Sequence, residues 1–90
     1  MRSKNHKALT VAEAAHVQRV KELPCGVCDE PGPSDAHHIE QQMHYTVIPL
    51  CKGCHQGDHN GIHGRRHLWL VTRKTELSVL NDTVRKLTCE

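Results

Sequence analysis

Among its 90 residues the chain has no phenylalanine, one tryptophan and one tyrosine. So short and aromatic-poor a chain cannot bury the apolar area that stabilises an ordinary domain, and a covalent or metal staple is expected. It also lacks an apolar run long enough to cross a bilayer, so no membrane partner is expected. Residues Met1 to Lys7 lack the apolar stretch of an export signal, and the expected setting is the reducing cytoplasm. Strong charge of either sign is missing: 12 Lys and Arg against 10 Asp and Glu leave a formal +2. Bulk electrostatics alone therefore does not announce a nucleic-acid binder. Internal repeats and low-complexity tracts are absent, and there is no room for a second domain.

What the chain does have is five cysteines and nine histidines. Four of the cysteines form two short pairs, Cys25-Gly-Val-Cys28 and Cys51-Lys-Gly-Cys54. In a reducing compartment this spacing favours a tetrahedral zinc over disulfides. Cys89 is left as a free thiol. Nine histidines exceed structural demand, and they are spaced along the chain where a tag or storage tract would be contiguous. A thiolate quartet suits a closed structural zinc site, whereas imidazoles that leave a coordination position open suit an ion that does chemistry.

Residues 1–8 read as a disordered basic arm carrying Arg2, Lys4 and Lys7, and residues 9–90 as one domain. Thr10-Val11-Ala12-Glu13 is a capping box that opens a helix running to about Leu23, with Ala12, Ala15, Val20 and Leu23 at helical intervals. Pro24 stops it just before Cys25. Asp29 to Asp35 is dense in turn formers and reads as a loop. Ala36 to Glu40 and Thr46 to Leu50 then form a β-hairpin, with Pro49 at an edge or strand end. A helix from Cys51 to His59 places His55 and His59 one turn apart on one face. Beyond Arg65, a segment with Leu68, Trp69 and Val71 is helical. Leu77, Leu80, Val84 and Leu87 mark a second helix whose stripe is core or partner contact. The fold class is α+β.

A metal-dependent phosphodiesterase needs a general base, a cation to stabilise the leaving oxygen, and a cradle that holds the phosphate. Adjacent histidines on a hairpin strand, opposite a helix bearing another, can provide the first two. Strand alternation aims His37 and His38 at opposite faces, so joint action requires the doublet to sit at a strand end, bulge or strong twist. Arg65-Arg66, two residues beyond His63, are the best candidates for phosphate contact.

The order Cys-x-x-Cys, Ala36-His37-His38-Ile39, Ile48-Pro49-Leu50-Cys51-x-x-Cys54-His55, then Ile62-His63-Gly64 resembles the zinc-stapled HNH endonucleases. Among these it looks most like the phage recombination-enhancement nucleases. The likeness takes in His16-Val17-Gln18-Arg19-Val20 and Trp69, and covers roughly Val11 to Leu80. The resemblance implies a small ββα-metal (His-Me finger) domain stapled by a zinc on Cys25, Cys28, Cys51 and Cys54, with flanking helices. It makes His38 the general base, and His37 and His55 ligands of a catalytic Mg²⁺, Mn²⁺, Ni²⁺ or Zn²⁺. His63 or His59 completes that set, with His63 preferred. Thr46 stands where the superfamily usually has its central Asn.

The resemblance implies a DNA endonuclease or nickase, phage- or prophage-encoded, acting in a bacterial cell, with a recombination or phage DNA-processing protein as a candidate partner. The competing class is a zinc-stapled module that binds DNA or protein without cutting. One small ββα unit has a small footprint, so the chain is expected as a monomer or weak dimer without strong sequence specificity of its own.

Overall fold

In the computed structural model, which describes residues 9–88, Thr10 starts the first helix as its capping spacing requires. The expected basic arm at residues 1–8, and Cys89, lie outside these residues. Helix α1 spans Val11–Lys21. Glu13 N–H donates to Thr10 Oγ1 at 3.0 Å, and Thr10 N–H donates to Glu13 Oε1 at 2.9 Å. The helix ends two residues before the expected Leu23, because Glu22 and Leu23 donate to the carbonyls three residues back and tighten the last turn. Its apolar stripe is narrower than expected: Val20 is fully buried, while Ala12 and Ala15 are exposed.

The sheet has two antiparallel strands, β1 at Asp35–His38 and β2 at Val47–Leu50, with His37 opposite Ile48 and His38 opposite Val47. β1 starts one residue before the expected Ala36 and stops at His38, although Ile39 N–H still reaches Thr46 O at 3.1 Å. Pro49 is tolerated because a two-stranded sheet is all edge. The outer side of β2 is used nonetheless, since Gly26 N–H donates to Pro49 O at 2.8 Å. All four β2 residues are buried.

Helix α2 covers only Lys52–Gln56. The expected extension to His59 is overturned at Gly57, whose backbone turns extended while its N–H still bonds Gly53 O and Lys52 O. A Cβ at Gly57 would stand 2.5 Å from Gly53 O, so only glycine closes this helix so tightly.

Two further helices complete the described residues, α3 at His67–Val71 and α4 at Glu76–Thr88. Trp69 is 2% exposed and donates its indole N–H to Cys54 O at 3.1 Å, joining α3 to the second cysteine pair. The buried face of α4 is not the expected leucine stripe. Val79 and Thr83 are buried and Leu80 packs on the core, while Leu77 is 74% exposed and Val84 44%. Thr83 can sit inside because its hydroxyl donates to Val79 O at 2.7 Å.

Helix α4 approaches the first cysteine pair closely: a Cβ on Gly26 would lie 2.4 Å from Val79 Cγ1. Gly26→Ala should therefore lower stability by about 1–3 kcal/mol through overpacking. Urea unfolding of the zinc-supplied chain measures this, and an unchanged midpoint would mean α4 does not seat on the knuckle.

Candidate metal centres

Cys25 and Cys28 lie on the turn after α1, and Cys51 and Cys54 where β2 gives way to α2. Their sulfurs lie within 4.8 Å of one another, so they could hold a metal such as zinc. Cys28 Sγ and Cys51 Sγ are 3.6 Å apart, far beyond a disulfide bond of about 2.05 Å. A tetrahedron with metal–sulfur arms of about 2.3 Å has edges of about 3.8 Å, so the separation fits a shared ion. Val27 N–H points at Cys25 Sγ and Cys54 N–H at Cys51 Sγ, each at 3.4 Å, as amides do toward thiolates in knuckles.

The thiols do not ionise alike. Burial pushes Cys28 up to about 11 and raises Cys54 as well, the latter also through the charge of Cys25. Burial opposes ionisation of Cys25 too, but hydrogen bonds from backbone amides at Cys28, Cys51 and Val27 prevail and lower it. Four thiolates so close repel one another, and a divalent cation is what lets all four lose their protons.

The second cluster joins His37 from β1, His55 from α2 and His63 from the loop before α3, with one ring nitrogen of each within 4.8 Å of the others. His37 is buried, His55 half-buried and His63 exposed. His37 Nδ1 and His55 Nε2 are 3.2 Å apart. Each ring's far nitrogen meets a carboxylate: His37 Nε2 is 2.8 Å from Glu76 Oε2, and His55 Nδ1 is 3.2 Å from Asp35 Oδ2. A carboxylate oxygen only accepts, so with both rings neutral each far nitrogen carries the proton and each near nitrogen keeps its lone pair. Two lone pairs then face each other at 3.2 Å, and only a shared proton or a metal cation removes that clash. Metal–nitrogen arms of about 2.0–2.1 Å give a tetrahedral edge of about 3.3 Å, so the pair also fits an ion.

Asp35 is suited to its part. The hydrogen bond with His55, aided by the Lys52 ammonium, holds its carboxyl below the ordinary value against the opposing effect of burial.

His59 stands outside this cluster. Because α2 ends before it, its ring stacks on His67, with centroids 4.4 Å apart, and its carbonyl accepts His67 N–H. His38 occupies the last position of β1, a strand end, and its Nε2 lies 3.0 Å from His44 Nδ1. Burial first, then the neighbouring His44 and His37, lower its pKa and favour the neutral ring. Arg65 and Arg66 are exposed. Arg66 sits at φ 56 as the residue that starts α3, and its Nε donates to Ile62 O at 3.1 Å, beside His63.

Sequence reasoning missed four contributors. Asp35 was legible only as a turn former, although it shares a strand face with His37 two residues on. Glu76 meets His37 across 39 residues and left no local signal. His44 and His67 were counted without a partner.

No protein-family model, curated protein or solved structure matches the chain. Among the described residues no helix is long and apolar enough to cross a membrane.

If the cysteine quartet holds zinc, the metal carries folding energy, about 10–16 kcal/mol of apparent binding in small zinc modules. A strong chelator, or Cys54→Ser, should then abolish the cooperative melting transition followed by circular dichroism. A melting curve indifferent to the chelator would exclude the staple.

Proposed function

We propose that the chain is a metal-dependent DNA endonuclease or nickase of the HNH kind, with Cys25, Cys28, Cys51 and Cys54 around a structural zinc. The observation that carries this reading is the convergence of His37, His55 and exposed His63, one ring nitrogen of each within 4.8 Å of the others and those of His37 and His55 3.2 Å apart. Three nitrogen donors with one side toward solvent suit an ion that accepts a substrate oxygen, where a closed quartet does not. Imidazoles accept Zn²⁺, Ni²⁺ or Mn²⁺, and Mg²⁺ more weakly. When bound, the ion stabilises the negative charge that develops on the leaving oxygen of a phosphodiester.

His38 is the proposed general base. In the proposed tautomer His38 Nε2–H donates to His44 Nδ1, 3.0 Å away, and Nδ1 of His38 keeps a lone pair to take a proton from water as water attacks phosphorus in line with the leaving oxygen. Arg66, whose guanidinium is tethered to Ile62 O beside His63, and Arg65 next to it are the proposed phosphate contacts.

The second reading is a module that binds DNA or protein without cutting. Thr46 favours it: the residue in the place of the family's Asn spends its hydroxyl on Met43 O, at 3.2 Å, within its own loop.

Nicking of supercoiled plasmid with added divalent metal separates the two. His38→Ala should fold, keep its zinc and lose about 10²–10⁴-fold in rate; cleavage at the parental rate refutes the base assignment. His63→Ala should abolish nicking and His59→Ala should leave it intact. Retained DNA binding with no nicking under any of the four metals would establish the non-cutting module.

A further inference from the structure

The histidine cluster is held by more than the hairpin and α2. Glu76 is the first residue of α4, and α4 is fixed at that end in two ways. Thr75 and Ser78 cap it reciprocally, Ser78 N–H donating to Thr75 Oγ1 at 3.0 Å and Thr75 N–H to Ser78 Oγ at 2.9 Å. Lys74, two residues before Glu76, donates its ammonium to Gly26 O at 2.9 Å and Val27 O at 3.3 Å, both on the first cysteine knuckle. The carboxylate of Glu76 thus reaches His37 from a segment anchored on the sulfur cluster. Asp35 reaches His55 from the far strand position on the face of His37, and Lys52 lies 3.5 Å from its other oxygen.

We propose that Glu76 and Asp35 are positioning residues of the histidine centre: each takes the far N–H of one imidazole, fixes its tautomer and turns the opposite nitrogen toward a divalent cation. His37 then ligates through Nδ1 and His55 through Nε2. The two rings present different nitrogens because Glu76 meets Nε2 of His37 while Asp35 meets Nδ1 of His55. Both carboxylates are about one-third exposed, at 33% for Glu76 and 32% for Asp35, so neither is simply a buried structural charge. Outer carboxylates of this kind raise the basicity of the ligand and hold its ring, and their loss commonly costs 10–100-fold in metal affinity. The assignment deepens the metal reading of His37, His55 and His63 and rests on it.

The test uses the full chain with zinc supplied, titrated with Ni²⁺ by calorimetry. The parental chain should bind one Ni²⁺ beyond its zinc, and His37→Ala should lose it. Glu76→Ala and Asp35→Ala should each weaken that binding by about 10–100-fold, with Glu76→Gln, which keeps an acceptor, falling between. Histidine ¹⁵N–¹H correlation spectra without nickel give a second readout. In the parental chain they should show the proton of His37 on Nε2 and that of His55 on Nδ1. Glu76→Ala should mix the His37 tautomers and leave those of His55 unchanged. If the parental chain binds no nickel beyond its zinc, the metal reading of the cluster falls and this proposal with it. If the parental chain binds and the Glu76 and Asp35 variants bind equally well with unaltered tautomers, the positioning role alone is overturned, whatever happens to their melting temperature.

Discussion

Bringing four sulfurs from two distant knuckles to within 4.8 Å fixes more than its own neighbourhood. Cys51 directly follows β2 and caps α2, so whatever holds it sets both the return strand and the start of the helix. At five residues α2 is far too short to persist alone. His55 follows Cys54 directly and inherits its position from that sulfur. His37 inherits its own through the hairpin, paired with Ile48 two residues before Leu50. The histidine cluster is therefore downstream of the cysteine cluster in the order of physical causes.

Apolar packing closes around the same point. Cys25 and Cys54 belong to the buried core together with Ile48, Leu50, Trp69 and Val79. In a chain without phenylalanine, Trp69 supplies the largest buried side chain, and its indole N–H is satisfied by the carbonyl of a candidate metal ligand. Arg19, near the end of α1, donates to Leu87 O and ties the first helix to the last. Losing the staple would then dismantle the core directly, because the sulfurs form part of its floor.

What could be read from the sequence was what is local. The capping box at Thr10, the cysteine knuckles, the hairpin and the start of a helix at the second cysteine pair depend on neighbours a few residues apart. What could not be read depends on tertiary placement. The pairing of His55 with His59 assumed an unbroken helix, and Gly57 ends it one residue after Gln56. The stripe of Leu77, Leu80, Val84 and Leu87, expected as core or partner contact, is core only in part: Leu80 packs inward while Leu77 and Val84 are exposed. The close seat of Val79 on Gly26 rotates α4 so that Thr83, carrying its own hydrogen bond, goes inside. Asp35 and Glu76 escaped for the same reason, since nothing in a turn-rich run or a helix start announces an imidazole across the fold.

The two clusters also differ in a way that bears on their duties. All four sulfurs come from paired knuckles, and a tetrahedral ion held by them has no vacant place. The histidine cluster offers three donors, and burial falls from His37 through His55 to His63, so its open side is the side of His63. Ile62, the residue before His63, accepts from the exposed Arg66 guanidinium through its carbonyl, which keeps a positive group near that residue in the chain. Pairing the inner nitrogens of His37 and His55 with a lone proton would satisfy them equally well, but it would leave His63 without a part. A cation with three imidazoles and an outward position gives each ring in the cluster a role.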